Sequence, residues 1–383
     1  MRQLPTGYSG AGPPMQVQCP RKVPAVPEPV TTNPPYGHVR EKNLHAAAGI
    51  PWDAGINLHR YMTQQRRCQK HLIQCGTAEA KNDDLLEVPA RVAALVRPES
   101  LSKPATETLR RSGVEIRVGD INDSVEKLTE TLTGVDVFIS TVTGWLVEEQ
   151  KGIIRAAKAA GVKRVIPCDF ATPGDKGVQG LLDQKLAIRE FIQELGVPYT
   201  FIDVGWWMQL SLPHPDRSSS PLKNILNTVY GDGDDRMLVT DLNHIGTYVA
   251  RIIADPRTLN QAVIIWEDEV TQLETREIGE RVSGEGDALK AKRIYVSADA
   301  LKQELAQAKA AHAKDPADMA PKLAIAGAEY MLSIHILEEN TLKNAKRLGY
   351  LDVQELYPDM PKHTLEEYAK EFYAMEDPGK ADA

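Results

Sequence analysis

The chain has 383 residues, a formal charge of -8, 42% hydrophobic and 26% charged residues. That mix is ordinary for a folded globular protein and excludes a disordered tail, a collagen or a disulfide scaffold. A chain of that sign does not make phosphate-backbone contacts its main business, so nucleic acid is not an expected partner. Four scattered cysteines, Cys19, Cys68, Cys75 and Cys168, suit a reducing compartment. No stretch reaches the ~18 apolar residues needed to cross a bilayer, and the first thirty lack the apolar core of a secretory signal. The expectation is a cytoplasmic protein without a membrane partner.

Composition divides the chain. Residues 1–40 hold nine of the 25 prolines, and residues 1–80 carry nine Lys and Arg against four Asp and Glu. Residues 1–84 therefore read as a Pro-rich, largely irregular segment. Gly7-Tyr8-Ser9-Gly10-Ala11-Gly12 imitates a phosphate-binding glycine fingerprint, but no strand precedes it and Pro13-Pro14 blocks a helix after it. Cys68, His71 and Cys75 have non-standard spacing for zinc and no fourth ligand, so no metal is expected.

From residue 91 the pattern turns regular. Residues 91–96 are an apolar run, 104–111 a helix stopped by Gly113, and 114–118 a strand. Asp123 is placed to cap a helix ending near Gly134. Residues 135–141 form a strand, 146–160 a helix, 164–167 a strand, 181–195 a helix closed by Gly196, and 199–204 a strand. Strands alternating with helices of this length predict βαβ units and a doubly wound, Rossmann-like parallel sheet over residues 85–210. The rhythm then breaks. Gly231–Asp234 reads as a turn between short strands, and Asp241 as the cap of a helix over 242–253. A strand at 262–266 and helices at 271–282, 298–311, 320–339 and 365–374 complete a mixed, helix-rich substrate domain over 211–383.

Ligands of such sheets bind beyond the carboxyl ends of the strands. Arg97 follows the first strand directly, where a cation either holds a ribose 2′-phosphate or is a plain surface arginine; Lys103 offers a second charge. Ser140, Thr141 and Val142 end one strand with small residues that let a dinucleotide approach the backbone, which makes Thr141 a candidate cofactor contact; the alternative is ordinary loop packing. Pro167, Cys168, Asp169 and Phe170 end the next, and Phe170 is placed to pack on a nicotinamide. Trp206, Trp207 and Met208 line a substrate pocket or fill the core. Lys185 is the most informative: it stands in an apolar stripe of Leu181, Ile188, Ile192 and Leu195. A buried ammonium is costly unless paired, and burial beside Arg189 would lower its pKa from ~10.4 toward the range of proton transfer. The alternative is a lysine that snorkels to the helix edge.

The segments LVRPESLSKP (95–104), GVDVFISTV (134–142), AAGVKRVIPCDFATP (159–173), DQKLAIREFIQELGVPYTFIDVGWW (183–207) and AKRLGYLDVQELYPDM (345–360) resemble the NmrA-like, isoflavone-reductase-like family, fungal members above all. These are atypical short-chain dehydrogenase/reductase relatives. The resemblance implies an NADPH-dependent reductase of a small conjugated, often phenolic, secondary metabolite. It assigns the family's catalytic lysine to Lys185 and the arginine after it, expected to bind cofactor and help position cofactor or substrate, to Arg189. It assigns the 2′-phosphate cations to Arg97 and Lys103, and the aromatic beside the nicotinamide to Phe170. The family also holds dinucleotide-sensing regulators without turnover. One departure stands out: the family opens with a strand and a Gly-x-x-Gly-x-x-Gly loop, and here there is none. Leu72-Ile73-Gln74-Cys75-Gly76 is the nearest strand-like remnant, and Asp84-Leu85-Leu86-Glu87 resembles the end of the family's first helix. Two accounts stay open: a shifted reading frame or misplaced intron upstream of about residue 85, or divergence with loss of tight cofactor binding.

Overall fold

The alternating pattern folds as βα units in the computed structural model, which describes residues 91–381. The expectations for residues 1–84, including the glycine-rich stretch, Cys68, His71, Cys75 and Leu72–Gly76, lie outside the described residues, as does Asp84–Glu87. Strand β1 (Ala93–Val96) pairs in parallel with β2 (Glu115–Val118) across helix α1 (Pro104–Arg111). Helix α2 (Val125–Thr131) leads to β3 (Val137–Ile139). Helix α3 (Gln150–Ala159) then leads to β4 (Arg164–Ile166), again in parallel. Helix α4 (Gly180–Leu195) returns to β5 (Thr200–Asp203), and a bridge between Val165 and Tyr199 joins β4 to β5. Beyond β5, β9 (Gln261–Ile264) and β12 (Leu351–Asp352) extend the sheet in parallel. Among the described residues no ladder joins β1 to β3.

Both faces of the sheet are covered around β4 and β5, whose residues are buried throughout. Val165 and Phe201 face one cluster, with Leu128 of α2, Ile153 and Ile154 of α3, and Ile188 and Ile192 of α4. Their neighbours Ile166 and Ile202 face the other, with Val249 and Ile252 of α5 (Ile245–Ala254). That second cluster runs on without a break to Met331 and Phe372, so the Rossmann-like sheet and the C-terminal part share one core. The C-terminal part adds β6 (Trp206–Trp207), β8 (Arg236–Thr240) and β10 (Asp268–Thr271) as one sheet, and β7 (Thr228–Tyr230) with β11 (Ile294–Val296) as another. Its long helices are α6 (Gln272–Ser283), α7 (Ala298–Lys314), α8 (Met319–His335) and α9 (Leu365–Ala374). No helix among the described residues is long and apolar enough to cross a membrane.

Two local expectations are corrected and one is met. Ser124, not Asp123, caps α2: its Oγ accepts from the Lys127 N–H, while Asp123 accepts from the Asp120 N–H and pairs with Lys127. Asp241 does not cap α5, which starts at Ile245 after His244, because its carboxylate is spent on Gln209, Asn243 and His363. Gly231–Asp234 does lie in a turn between two short strands, β7 and β8, which pair not with each other but with β11 and with β10 and β6.

Burial leaves two histidines neutral. His214 and His335 are pushed down to about 3, by burial first and by Arg276 second. Below the ordinary histidine value of ~6.5 the unfolded chain takes up protons that the folded chain refuses, so stability falls as pH drops from ~6.5 toward 3. Replacing His335 with Phe retains a ring against Tyr230, on which His335 stacks at 5.8 Å. We expect urea unfolding between pH 4 and 6 to show the acid slope of that variant reduced by about 1.4 kcal/mol per pH unit; an unchanged slope would mean that His335 titrates in the folded state.

Candidate active site at the carboxyl edge of the sheet

Helix α4 ends cleanly at Gly196, whose φ of +69° suits glycine. Its buried face carries Leu182, Lys185, Ile188, Arg189 and Ile192. Lys185 is 1% exposed, and its Nζ donates to the Asp169 carbonyl oxygen at 2.6 Å. The snorkelling alternative is thereby excluded. One turn on, the Arg189 guanidinium donates from Nε to Asp169 Oδ2 (3.0 Å), from Nη2 to Asp203 Oδ2 (2.9 Å) and from Nη1 to Tyr350 Oη (2.6 Å). The Tyr350 hydroxyl donates to Asp203 Oδ2 at 2.5 Å. The guanidinium also lies over the Phe201 and Tyr350 rings.

The segment that receives these contacts is pinned at successive residues. The Cys168 N–H donates to Gln150 Oε1 and its thiol to the Val142 carbonyl. The Asp169 N–H donates to Pro167 O, and the Phe170 N–H to Ile202 O. Phe170 holds a left-handed backbone, φ +46°, unusual for a bulky residue. Strain of this kind persists where surrounding bonds over-determine it, and it concentrates at functional sites.

Charges here are set by burial. It raises the Asp169 carboxyl to about 7, against the pull of Arg189 and with help from Asp203. Burial also works against the Arg189 charge, but the two carboxylates outweigh it and hold that group well above its ordinary range. Burial lifts the Cys168 thiol to about 11, so it is no nucleophile at neutral pH.

The other expected site residues fall into two places. Arg97 and Lys103 are exposed beyond the carboxyl end of β1, where Arg97 Nε pairs with Glu99 at 3.1 Å and Lys103 precedes the first turn of α1. An exposed pair of that kind holds its charges loosely. Ser140 and Thr141 follow β3 directly, and the buried Ser140 Oγ has no hydrogen-bond partner. Phe170, Trp206 and Trp207 meet around a cavity with Ala171, Thr172, Gly205 and Tyr330; it holds about 10 Å³, room for one water. Gly205 is required there: φ is +65° and a Cβ would meet Leu238 O at 2.8 Å. Met208 does not line this cavity; it is fully buried in the core. Sequence reasoning missed Asp203, Tyr350 and Gln150. An acid closing the apolar run 200–203 was a usable signal for the first; nothing local marks the other two.

The model of the NmrA-like family matches residues 82–369. The chain is 35% identical over 294 residues to an asnovolin J 5′,6′-dehydrogenase of Aspergillus novofumigatus, covering 75% of this chain and 88% of that protein. It is 30% identical over 298 residues to a phenylcoumaran benzylic ether reductase of Pyrus communis, covering 73% and 89%. Among solved structures it is similar in fold to leucoanthocyanidin reductase from Vitis vinifera in binary complex with NADPH, at 20% identity and a TM-score of 0.60, covering 80% of this chain and 96% of that one. The chain belongs to the NmrA-like family.

The buried pair makes a direct expectation. Replacing Arg189 with Met leaves Asp169 and Asp203 without their cation, which typically costs ~3–5 kcal/mol. Urea unfolding checks this; a loss below ~1 kcal/mol would show that water reaches the carboxylates.

Proposed function

We propose that this protein is an NADPH-dependent oxidoreductase that transfers hydride to a small conjugated, phenolic or related secondary metabolite. Lys185 is the group that handles the proton. The carrying observation is a fully buried lysine whose Nζ is fixed at 2.6 Å from the Asp169 carbonyl, one residue before the cavity wall at Phe170. A buried amine in a defined position meets the first demand on an acid/base group, which is geometry. The family relatives support redox chemistry at carbon, and their names run in both directions, a dehydrogenase and a reductase.

The described residues fit the two ends of a dinucleotide. Arg97 and Lys103, exposed beyond β1, would take the 2′-phosphate. The unpartnered Ser140 Oγ and the neighbouring Thr141 would take the nicotinamide end, with Phe170 packed beside it. When bound, the reduced nicotinamide supplies the hydride. Among the described residues no glycine-rich turn is present for the pyrophosphate. Arg189 acts by positioning: its ion pairs hold Asp169, and Asp169 holds Lys185. Trp206 and Trp207 would exclude water, and a substrate would need this cavity, now about 10 Å³, to widen.

So small a cavity favours a second reading, an NAD(P)-binding regulatory protein without turnover. One experiment divides the two. NADPH fluorescence titration should show binding by the wild type and, equally, by Lys185→Met. Turnover of conjugated test substrates should fall at least ~10²-fold in that variant. Full activity of the variant overturns the role of Lys185. Binding without turnover by the wild type selects the regulator, and no binding at millimolar NADPH removes the dinucleotide from both readings.

A further inference from the structure

We propose that Asp241, His244 and His363 form a binding site for one divalent transition-metal ion of the zinc class. The site is independent of the redox reading and shares no residue with the Lys185 network. Asp241 and His244 belong to the turn between β8 and α5, and His363 to the segment just before α9. The fold brings together residues more than a hundred positions apart, and each offers a ligand atom within 4.8 Å of the others. Tetrahedral ligands at ~2.1 Å from zinc lie ~3.4 Å apart, so a small rotation of the imidazoles closes the set.

The surroundings are already organised for ligation. Glu267, its side chain wholly buried, accepts at Oε2 from the Asp241 N–H (2.8 Å). Its Oε1 lies 2.7 Å from His244 Nδ1. A carboxylate on one imidazole nitrogen is the usual way of fixing the tautomer and turning the other nitrogen toward a metal. Asp241 Oδ1 is held by Gln209 Nε2 (2.7 Å) and the Asn243 N–H (2.9 Å), which leaves Oδ2 facing His363 Nδ1 at 3.2 Å. The two rings stand 5.2 Å apart.

Charge points the same way. Asp241 and Glu267 are two buried carboxylates beside two imidazoles, and the charged groups that act on His244 are Glu267, Asp241 and Glu371, all acidic. Glu371 also lies 3.7 Å from His363 Nε2. A dication balances that negative charge while using imidazole and carboxylate in the mix zinc accepts. His244, 43% exposed, gives the ion a route in. Bound there, the metal would staple the segment leading into α9 to the carboxyl end of β8.

The test uses the full chain, stripped with a chelator and titrated with Co²⁺ and then Zn²⁺. We expect one equivalent of Co²⁺ with the visible absorption of a four-coordinate site, displaced by Zn²⁺. We expect a rise in Tm on adding Zn²⁺ that the chelator reverses. The double variant His244→Asn, His363→Gln should lose both responses. A Cys19→Ser, Cys68→Ser, Cys75→Ser variant should keep them. No binding at micromolar metal overturns the proposal, and so does an intense near-ultraviolet thiolate band in the wild-type Co²⁺ spectrum, which reads out ligand type even if the double variant fails to fold.

Discussion

A guanidinium buried in an apolar layer must be paired, and that requirement organises this protein's carboxyl edge. Arg189 needs two carboxylates, and they come from different strands: Asp169 just beyond β4, Asp203 at the end of β5. Tyr350 closes the ring from the C-terminal part. One side chain of α4 thus ties two neighbouring strand ends and a distant loop together. The geometry of the proposed proton-handling group follows from this, because Lys185 is held by the backbone carbonyl of the same Asp169 that Arg189 anchors. Buried pairs of this kind often add little net stability, yet removing one partner is costly. The arrangement is better understood as fixing a position than as adding stability.

Much of the sheet could be read from the sequence because its signals are local. Apolar runs mark strands covered on both faces, and Gly113, Gly134, Gly161 and Gly196 all take the positive φ that ends a helix or turn. Lys185 was visible as a charge within an apolar stripe for the same reason. What stayed hidden depends on contacts between distant residues. Tyr350 reaches Arg189 across 161 positions. The Asp241 turn takes its shape from Gln209 and His363, so its capping pattern misleads. The pairing of β7 with β11 rather than β8 is likewise a tertiary choice that no short window encodes.

The division of the sheet bears on how a coenzyme would sit. Arg97 and Lys103 ride on the β1–β2 pair, whereas Ser140, Asp169 and Phe170 ride on the run that begins at β3. Among the described residues these are separate ladders, so the two ends of the proposed dinucleotide site are positioned by different parts of the sheet. The residues that end β3 and β4 are the better fixed of the two, through Gln150, Lys185 and the ion pairs. Orphaned buried atoms, Ser140 Oγ, Asp169 Oδ1 and Thr172 Oγ1, collect in that stretch. Such groups are costly without partners, and a ligand with donors and acceptors would satisfy them.

Amine-reactive labelling with mass-spectrometric readout tests most directly whether the ion-pair network holds Lys185. In the native protein Lys185 should resist modification while exposed lysines such as Lys302 and Lys370 react. In a folded Asp203→Asn variant Lys185 should become reactive, since the anchor on Arg189 is halved. Labelling of Lys185 in the intact protein at the rate of the exposed lysines would contradict the account.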